Sequence, residues 1–131
     1  MEMTKELPEP KPGPAEWFTG SVELAELASP DPPARVRVLR VRFAQEARTA
    51  WHTHPFGQVL HVVEGTARVQ RQDGPVTDVP AGGTVWFDPG ERHWHGATPD
   101  APMAHIAIQE AGPDGRSADW AEHVTDAEYG G

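Results

Sequence analysis

Three histidines and one glutamine have the residue types and the spacing of a metal site. His52, His54 and Gln58 lie close together in the chain, and His93 lies in a distant segment. Alternate residues of a strand point to one side, so His52 and His54 share a face, and Gln58 keeps that parity. Imidazole suits Zn, Cu, Fe or Ni, and a carbonyl oxygen shifts the preference toward harder ions such as Mn or Fe(II). The pattern predicts a divalent metal held without any charged ligand, which would strongly polarise a bound oxygen.

One more histidine competes for this ligand set. A single His-x-His pair is a weak signal, and His95 shares strand parity with His93. The spacing after Gly90 favours His93 as the ligand and assigns His95 to the pocket wall. His61 has the opposite parity to Gln58, so it is predicted to lie on the outer face of its strand.

The elements that must position these ligands are short strands. The chain has 131 residues, of which Gly 13 and Pro 14 form a large share, and turn signals recur about every eight to twelve residues. The strongest strand patterns lie at 35–43 and 58–64, and Asp73-Gly74 is a typical hairpin turn. This organisation predicts one all-β domain, either a sandwich or a barrel.

The two ends of the chain differ from this β series. Residues 1–14 carry prolines among charged residues, which predicts a flexible, polyproline-like arm. Residues 15–131 are then the single domain. Residues 117–128 have helical character, and the run from Thr125 to Glu128 fits a capping box, which predicts a short helical tail.

Composition excludes several functions. A net charge of −9 argues against nucleic acids and anionic membranes as partners. No apolar run reaches the ~20 residues needed to span a bilayer, and the charged start of the chain does not resemble a signal peptide. The chain contains no cysteine, which excludes disulfides, thiolate ligands and cysteine nucleophiles, and favours a cytoplasmic location.

Two segments of the chain resemble the motifs of the cupin superfamily. The resemblance implies a single-domain, jelly-roll-like antiparallel β-barrel. Most cupins carry Glu where this chain has Gln58, and that change keeps an oxygen ligand but removes a charge. The matching residues are His52, His54, Gln58 and Gly65 of the first motif, and Gly82, Gly90 and His93 of the second.

A closer resemblance extends from Gly13 to Tyr129. Residues 13–20, 47–55, 93–96 and 120–126 are similar to the small manganese-dependent cupins with (R)-selective hydroxynitrile lyase activity. The resemblance implies a homodimer or homotetramer that splits cyanohydrins such as mandelonitrile into an aldehyde and hydrogen cyanide, as its main or as a promiscuous activity. It implies Mn(II) as the cofactor, with Fe(II) as the alternative and Zn(II) or Ni(II) as occupants of the purified protein.

The same resemblance implies a small-molecule pocket beside the metal. In the resembling lyases a histidine and a glutamine at the positions of His105 and Gln109 line the pocket. His105 is the candidate general acid–base, because an imidazole with an ordinary pKa of about 6.5 can accept and return a proton near neutrality. Gln109 would orient the substrate. The other predicted pocket residues are Leu39, Val41, Phe43 and His95.

Two other functions fit the same ligand set. A small cupin dioxygenase using Fe(II) or Mn would also need histidines and an oxygen ligand, and it would consume O₂. A non-catalytic cupin that binds a small molecule would show no turnover of mandelonitrile.

Overall fold

The computed structural model describes all 131 residues and consists almost entirely of antiparallel strands. Thirteen strands and one short helix follow one another along the chain. Their bounds are β1 Lys11–Pro12, β2 Phe18–Thr19, β3 Val22–Ala28, β4 Val36–Phe43, β5 Arg48–Thr49, β6 His52–Thr53, β7 Gln58–Glu64, β8 Thr66–Arg71, β9 Thr77–Pro80, β10 Thr84–Phe87, β11 His93–Ala97, β12 Met103–Glu110, β13 Asp119–Trp120 and α1 Asp126–Gly130.

The strands form two curled sheets that face each other. The first sheet has six strands in the order β1-β3-β4-β12-β7-β10. The second has seven strands, with the order β13-β6-β11-β5-β2 and with β8 pairing both β11 and β9. The predicted all-β barrel is therefore confirmed, as is the short C-terminal helix.

The core lies between the inner faces of the two sheets. On β4, Val41 and Phe43 are buried while Arg42 between them is exposed, and Leu60 and Val62 alternate in the same way on β7. This period of two is what a strand with one buried face requires.

The central strand β12 brings distant residues side by side. It pairs with β4 on one edge and with β7 on the other. In this register Ala107 lies opposite both Leu39 and Leu60, and Gln109 lies opposite Gln58. The predicted ligand on β7 and the predicted pocket residue on β12 are therefore neighbours.

One glycine at the end of β7 is required by its surroundings. Gly65 has a φ of 71°, a left-handed conformation that L side chains rarely adopt. A Cβ atom there would lie 2.3 Å from the carbonyl oxygen of Pro102. The glycine of the first motif thus allows the chain to turn tightly between β7 and β8.

The chain ends partly match the sequence-based expectations. Strand β1 lies inside residues 1–14 and pairs with β3. The capping box is confirmed, because Thr125 and Glu128 exchange side-chain-to-backbone hydrogen bonds. The helical character predicted further upstream is wrong: Asp119 and Trp120 form β13, because burying the Trp120 ring against the barrel outweighs local helix propensity. No helix in the structure has the length and apolar character needed to cross a bilayer.

Candidate metal centre

Three of the four predicted ligands meet through the pairing of β6 with β11. His52 on β6 lies directly opposite His93 on β11, with their ring centroids 4.3 Å apart. His54 follows β6, and its ring lies 5.0 Å from His52 and 5.5 Å from His93. All three side chains are buried. Two segments that are distant in sequence thus bring three imidazole rings close together, although the ring nitrogens that all lie within 4.8 Å of one another belong to His52, His93 and His95.

Backbone carbonyls fix the same tautomer in all three rings. His52 Nδ1 lies 2.8 Å from the carbonyl of Ala50, and His93 Nδ1 lies 2.8 Å from that of Glu91. His54 Nδ1 lies 2.5 Å from the carbonyl of Ser117. Because a carbonyl oxygen can only accept, each Nδ1 must donate, and each neutral ring keeps a free lone pair on Nε2. This is the arrangement in which histidines bind metals.

Burial keeps these rings neutral. It lowers the pKa of His52 well below its ordinary value, with the neighbouring imidazoles adding to the shift. It also lowers the pKa of His54, and it lowers that of His93 to about 3. Metals bind the unprotonated imidazole, so at neutral pH no proton must be displaced before an ion can enter.

The glutamine provides an oxygen at the same point. Gln58 Nε2 donates to Oε1 of Gln109 at 3.1 Å, which leaves Gln58 Oε1 facing His93 Nε2 at 3.0 Å. Since His93 carries its proton on Nδ1, these two atoms are both acceptors. Their separation is roughly that of adjacent ligands on a metal with bonds of about 2.1 Å. In addition, the buried Nε2 of His54 has no hydrogen-bond partner. The donor set therefore fits a divalent metal.

His95 lies beside this cluster and offers a second combination of ligands. The ligand atoms of His52, His93 and His95 lie within 4.8 Å of one another. His95 Nδ1 is 2.9 Å from His105 Nε2, and its Nε2 is buried without a partner. If His105 donates in this pair, His95 carries its proton on Nε2 and cannot be a ligand. If His95 donates, its Nε2 is free for a metal. The direction of this one hydrogen bond therefore decides the role of His95.

A cavity of 540 Å³ adjoins the cluster. Its walls are mainly apolar, and His54 and Gln109 are among the polar groups that reach it. Of the predicted pocket residues, Leu39 and Val41 also line it. The full lining consists of Trp17, Phe18, Leu24, Leu39, Val41, His54, Ala107, Gln109, Arg116, Ser117, Ala118, Asp119 and Trp120.

The remaining predicted pocket residues lie deeper in the barrel than this lining. Phe43 and His105 are fully buried, with ring centroids 5.3 Å apart, and His95 lies 6.0 Å from Phe43. Burial lowers the pKa of His105 to about 4, so its ordinary value does not apply in this site. At neutral pH His105 is a neutral imidazole whose Nδ1 has no partner.

Several residues of the site could not be found by sequence reasoning. The Trp120 ring lies 4.5 Å from the His52 ring and stacks on Trp17 at 5.2 Å. Ser117 contributes only its backbone carbonyl. These residues come from opposite ends of the chain, and neither a motif nor a spacing connects them to the histidines.

The chain matches a family model, and it is similar to an enzyme and to proteins of known structure. The family model for the cupin domain matches residues 39–109. The chain is 52% identical over 117 residues to an (R)-mandelonitrile lyase from Granulicella tundricola, covering 89% of this chain and 88% of that protein. A cupin-like protein of known structure from Thermotoga maritima aligns with a TM-score of 0.85 and 33% identity, over 98% of this chain and 95% of that one.

A second Thermotoga maritima structure, a predicted oxalate decarboxylase, aligns with a TM-score of 0.69 at 19% identity, over 81% of this chain and 94% of that one. That likeness bears on the fold alone. The domain match covers more than half of the chain and includes all four predicted ligands. This protein belongs to the cupin family.

Proposed function

We propose that this protein is a metal-dependent hydroxynitrile lyase that cleaves and forms cyanohydrins such as (R)-mandelonitrile. The observation that carries the proposal is the 52% identity to an (R)-mandelonitrile lyase over nearly the full length of both chains. The cavity beside the histidine cluster supports it, because apolar and aromatic walls suit the aryl group of such a substrate.

The residues proposed to hold the metal are His52, His54, Gln58 and His93. All four present neutral acceptor atoms, so the site adds no negative charge to the ion. When bound, the metal supplies Lewis acidity that stabilises negative charge on the substrate. The amide oxygen favours Mn(II) or Fe(II), and Mn(II) is the proposed cofactor. Zn(II) and Ni(II) accept the same donors, so metal content after purification must be compared with activity.

The cavity would orient the cyanohydrin by its two ends. The aryl ring would pack among Trp17, Phe18 and Trp120, which close the apolar side and exclude water. The polar end would face His54 and Gln109. Since the Gln109 oxygen accepts from Gln58, the Gln109 amide N–H groups are directed elsewhere and can donate to the substrate.

His105 is the proposed proton acceptor. It is neutral at pH 7, and it has one free nitrogen, Nδ1. In the cleavage direction the cyanohydrin O–H proton passes to His105. The O–H electron pair then forms the carbonyl, and the C–C electron pair leaves with cyanide, which takes up the proton as hydrogen cyanide. His95 would stabilise the charged ring by accepting from His105 Nε2. A positioned acid–base group of this kind typically contributes ~10²–10⁴-fold in rate.

The proposal is tested by turnover of (R)-mandelonitrile, followed as benzaldehyde formation. Protein stripped with a chelator should be inactive, and Mn(II) should restore activity. Excluding O₂ should change nothing, which separates a lyase from a dioxygenase. His105→Ala should lose ~10²–10⁴-fold in kcat while keeping its metal. His61→Ala is the matched control, because His61 is exposed on the outer face of β7. Full activity in metal-free protein would overturn the proposal, and no turnover in Mn-loaded protein would favour a binding role.

We also propose that the protein is a homodimer or homotetramer located in the cytoplasm. An outer row of apolar residues crosses four strands of the first sheet: Val38, Ile108, Val59 and Trp86 are successive register partners. Trp86 is 54% exposed and Ile108 36%. A second copy related by a two-fold axis would cover this outer row with the same row of its own.

The proposed location follows from composition, because the lack of cysteine suits a reducing compartment.

A further inference from the structure

One of the three ligand histidines is held differently from the other two. His52 and His93 each donate to a carbonyl two residues away. The carbonyl that orients each of these rings therefore lies in the same short stretch of chain as the ring itself. His54 donates to the carbonyl of Ser117, which is 63 residues away. The orientation of His54 therefore depends on a distant part of the molecule, while that of His52 and His93 is local.

The Ser117 carbonyl belongs to a stretch that we call the tail segment, residues 117–120. This segment ends in the edge strand β13, where Asp119 lies opposite Thr53. The pairing continues with Trp120 opposite His52, and the two rings lie 4.5 Å apart. The tail segment thus contacts all three residues of the His-x-His stretch, and it also forms part of the cavity wall.

Beyond the tail segment the backbone of Ala121 and Glu122 first bonds to Trp51, next to His52, and the chain is then fastened to the barrel at further points. Arg48 is buried, and it donates to the Val124 carbonyl at 2.9 Å and pairs with Asp126 at 2.8 Å. The Tyr129 hydroxyl donates to the Ala97 carbonyl at 2.5 Å. These contacts hold the C-terminal helix to the barrel independently of the pairing of β13 with β6.

We infer that the tail segment is a positioning element of the metal centre. Its Ser117 carbonyl holds the Nδ1–H tautomer of His54 and leaves the buried Nε2 as a free acceptor beside His52 and His93. Displacing the segment frees the His54 ring and weakens metal binding. The inference rests on the metal site of the proposed function. Loss of an outer hydrogen bond to a ligand histidine typically costs 10–100-fold in metal affinity. By linkage, metal binding must stabilise the docked segment by the same factor.

The first test disrupts β13 in the full chain. Asp119→Pro removes a backbone N–H from this edge strand and restricts residue 118. The matched control is Lys11→Pro in β1, another exposed two-residue edge strand, on the other sheet. Two quantities are measured on stripped protein: the imidazole N–H signals by NMR with ¹⁵N-labelled histidine, and Mn²⁺ affinity from the EPR signal of the free ion.

We expect Asp119→Pro to lose the His54 Nδ1–H signal, to keep those of His52 and His93, and to bind Mn²⁺ ~10–100-fold more weakly. Lys11→Pro should match the unmodified protein in both measurements. A general loss of stability would not remove one imidazole signal alone. Unchanged Mn²⁺ affinity after loss of the His54 signal would overturn the inference.

The second test instead fixes the tail segment to β6 with a disulfide bond. The chain has no cysteine, so the Thr53→Cys, Asp119→Cys double variant can form no other disulfide within one molecule, and the oxidised monomer is isolated for the test. Directly opposed residues of an antiparallel pair have Cα separations compatible with such a bond. The oxidised form should release Mn²⁺ to a chelator more slowly than the reduced form, by up to ~10-fold. Equal release rates would overturn the inference, whereas a failure of the unmodified protein to bind Mn²⁺ would also overturn the proposed function.

Discussion

Lowering the pH is expected to destabilise the metal-free protein through its buried histidines. Burial lowers the pKa of His93 to about 3 and that of His105 to about 4, while both return to about 6.5 in the unfolded chain. Between these values the unfolded state binds more protons, so the free energy of unfolding rises with pH. Stability is therefore full above about pH 6.5 and is lost as the pH falls toward 4.

The magnitude follows from the size of these shifts. At pH 5 each of the two histidines should reduce the free energy of unfolding by about 2 kcal/mol relative to pH 8. Complete titration would cost on the order of 5 kcal/mol for His93 and 3 kcal/mol for His105. Such losses are comparable with the whole stability of an ordinary domain, which is about 5–15 kcal/mol.

Urea unfolding of the stripped protein at several pH values between 8 and 5 measures this dependence. His105→Asn should reduce the slope of the free energy of unfolding against pH by the equivalent of about one proton between pH 6 and 5. The reason is that it removes one of the groups that take up a proton on unfolding. His123→Ala, which replaces an exposed histidine, is the matched control. A free energy of unfolding that stays constant from pH 8 to pH 5 would refute the reasoning.

Three further predictions concern single positions. Gln58→Glu should keep Mn(II) bound but lose most lyase turnover, because the carboxylate reduces the net charge of the site and cannot donate to Gln109; metal analysis and the mandelonitrile assay check this. Trp86→Glu in the outer row should give a monomer by light scattering, and an unchanged mass would remove this row from the proposed interface. Gly65→Ala should cost about 1–3 kcal/mol more than Gly90→Ala in urea unfolding, because both have positive φ but only Gly65 lacks space for a Cβ.

The clustering of the candidate ligands was the most predictable feature of this protein, and the reason is geometric. Strand parity predicted that His52, His54 and Gln58 share one face, and the motif spacing added His93. The pairing of β6 with β11, which brings His52 and His93 together, is a contact between distant segments. No local property of the sequence encodes that pairing, so the likeness to known motifs was needed to join the two halves.

The cavity wall was harder to predict for a different reason. Trp120 belongs to a segment whose composition favours helix, but in the fold it pairs with His52 and its half-buried ring contacts Phe18. Ser117 acts through its backbone, which any residue type would supply equally. The protonation of His105 was also outside the reach of the sequence, because its pKa depends on burial that only the folded barrel creates.

The way in which the ligands are oriented bears directly on the chemistry. Many metal-binding histidines donate to carboxylates, which raise the basicity of the ligand and reduce the effective charge of the ion. Here all three Nδ1 atoms donate to backbone carbonyls, and the fourth donor is an amide. The excess of acidic residues in the chain contributes none of these contacts. A divalent ion in this site would therefore carry almost its full charge in a buried setting, where interactions between charges are weakly screened. Such a centre stabilises an anionic substrate oxygen or cyanide more than a neutral ligand, and this difference is what cleavage of a cyanohydrin requires.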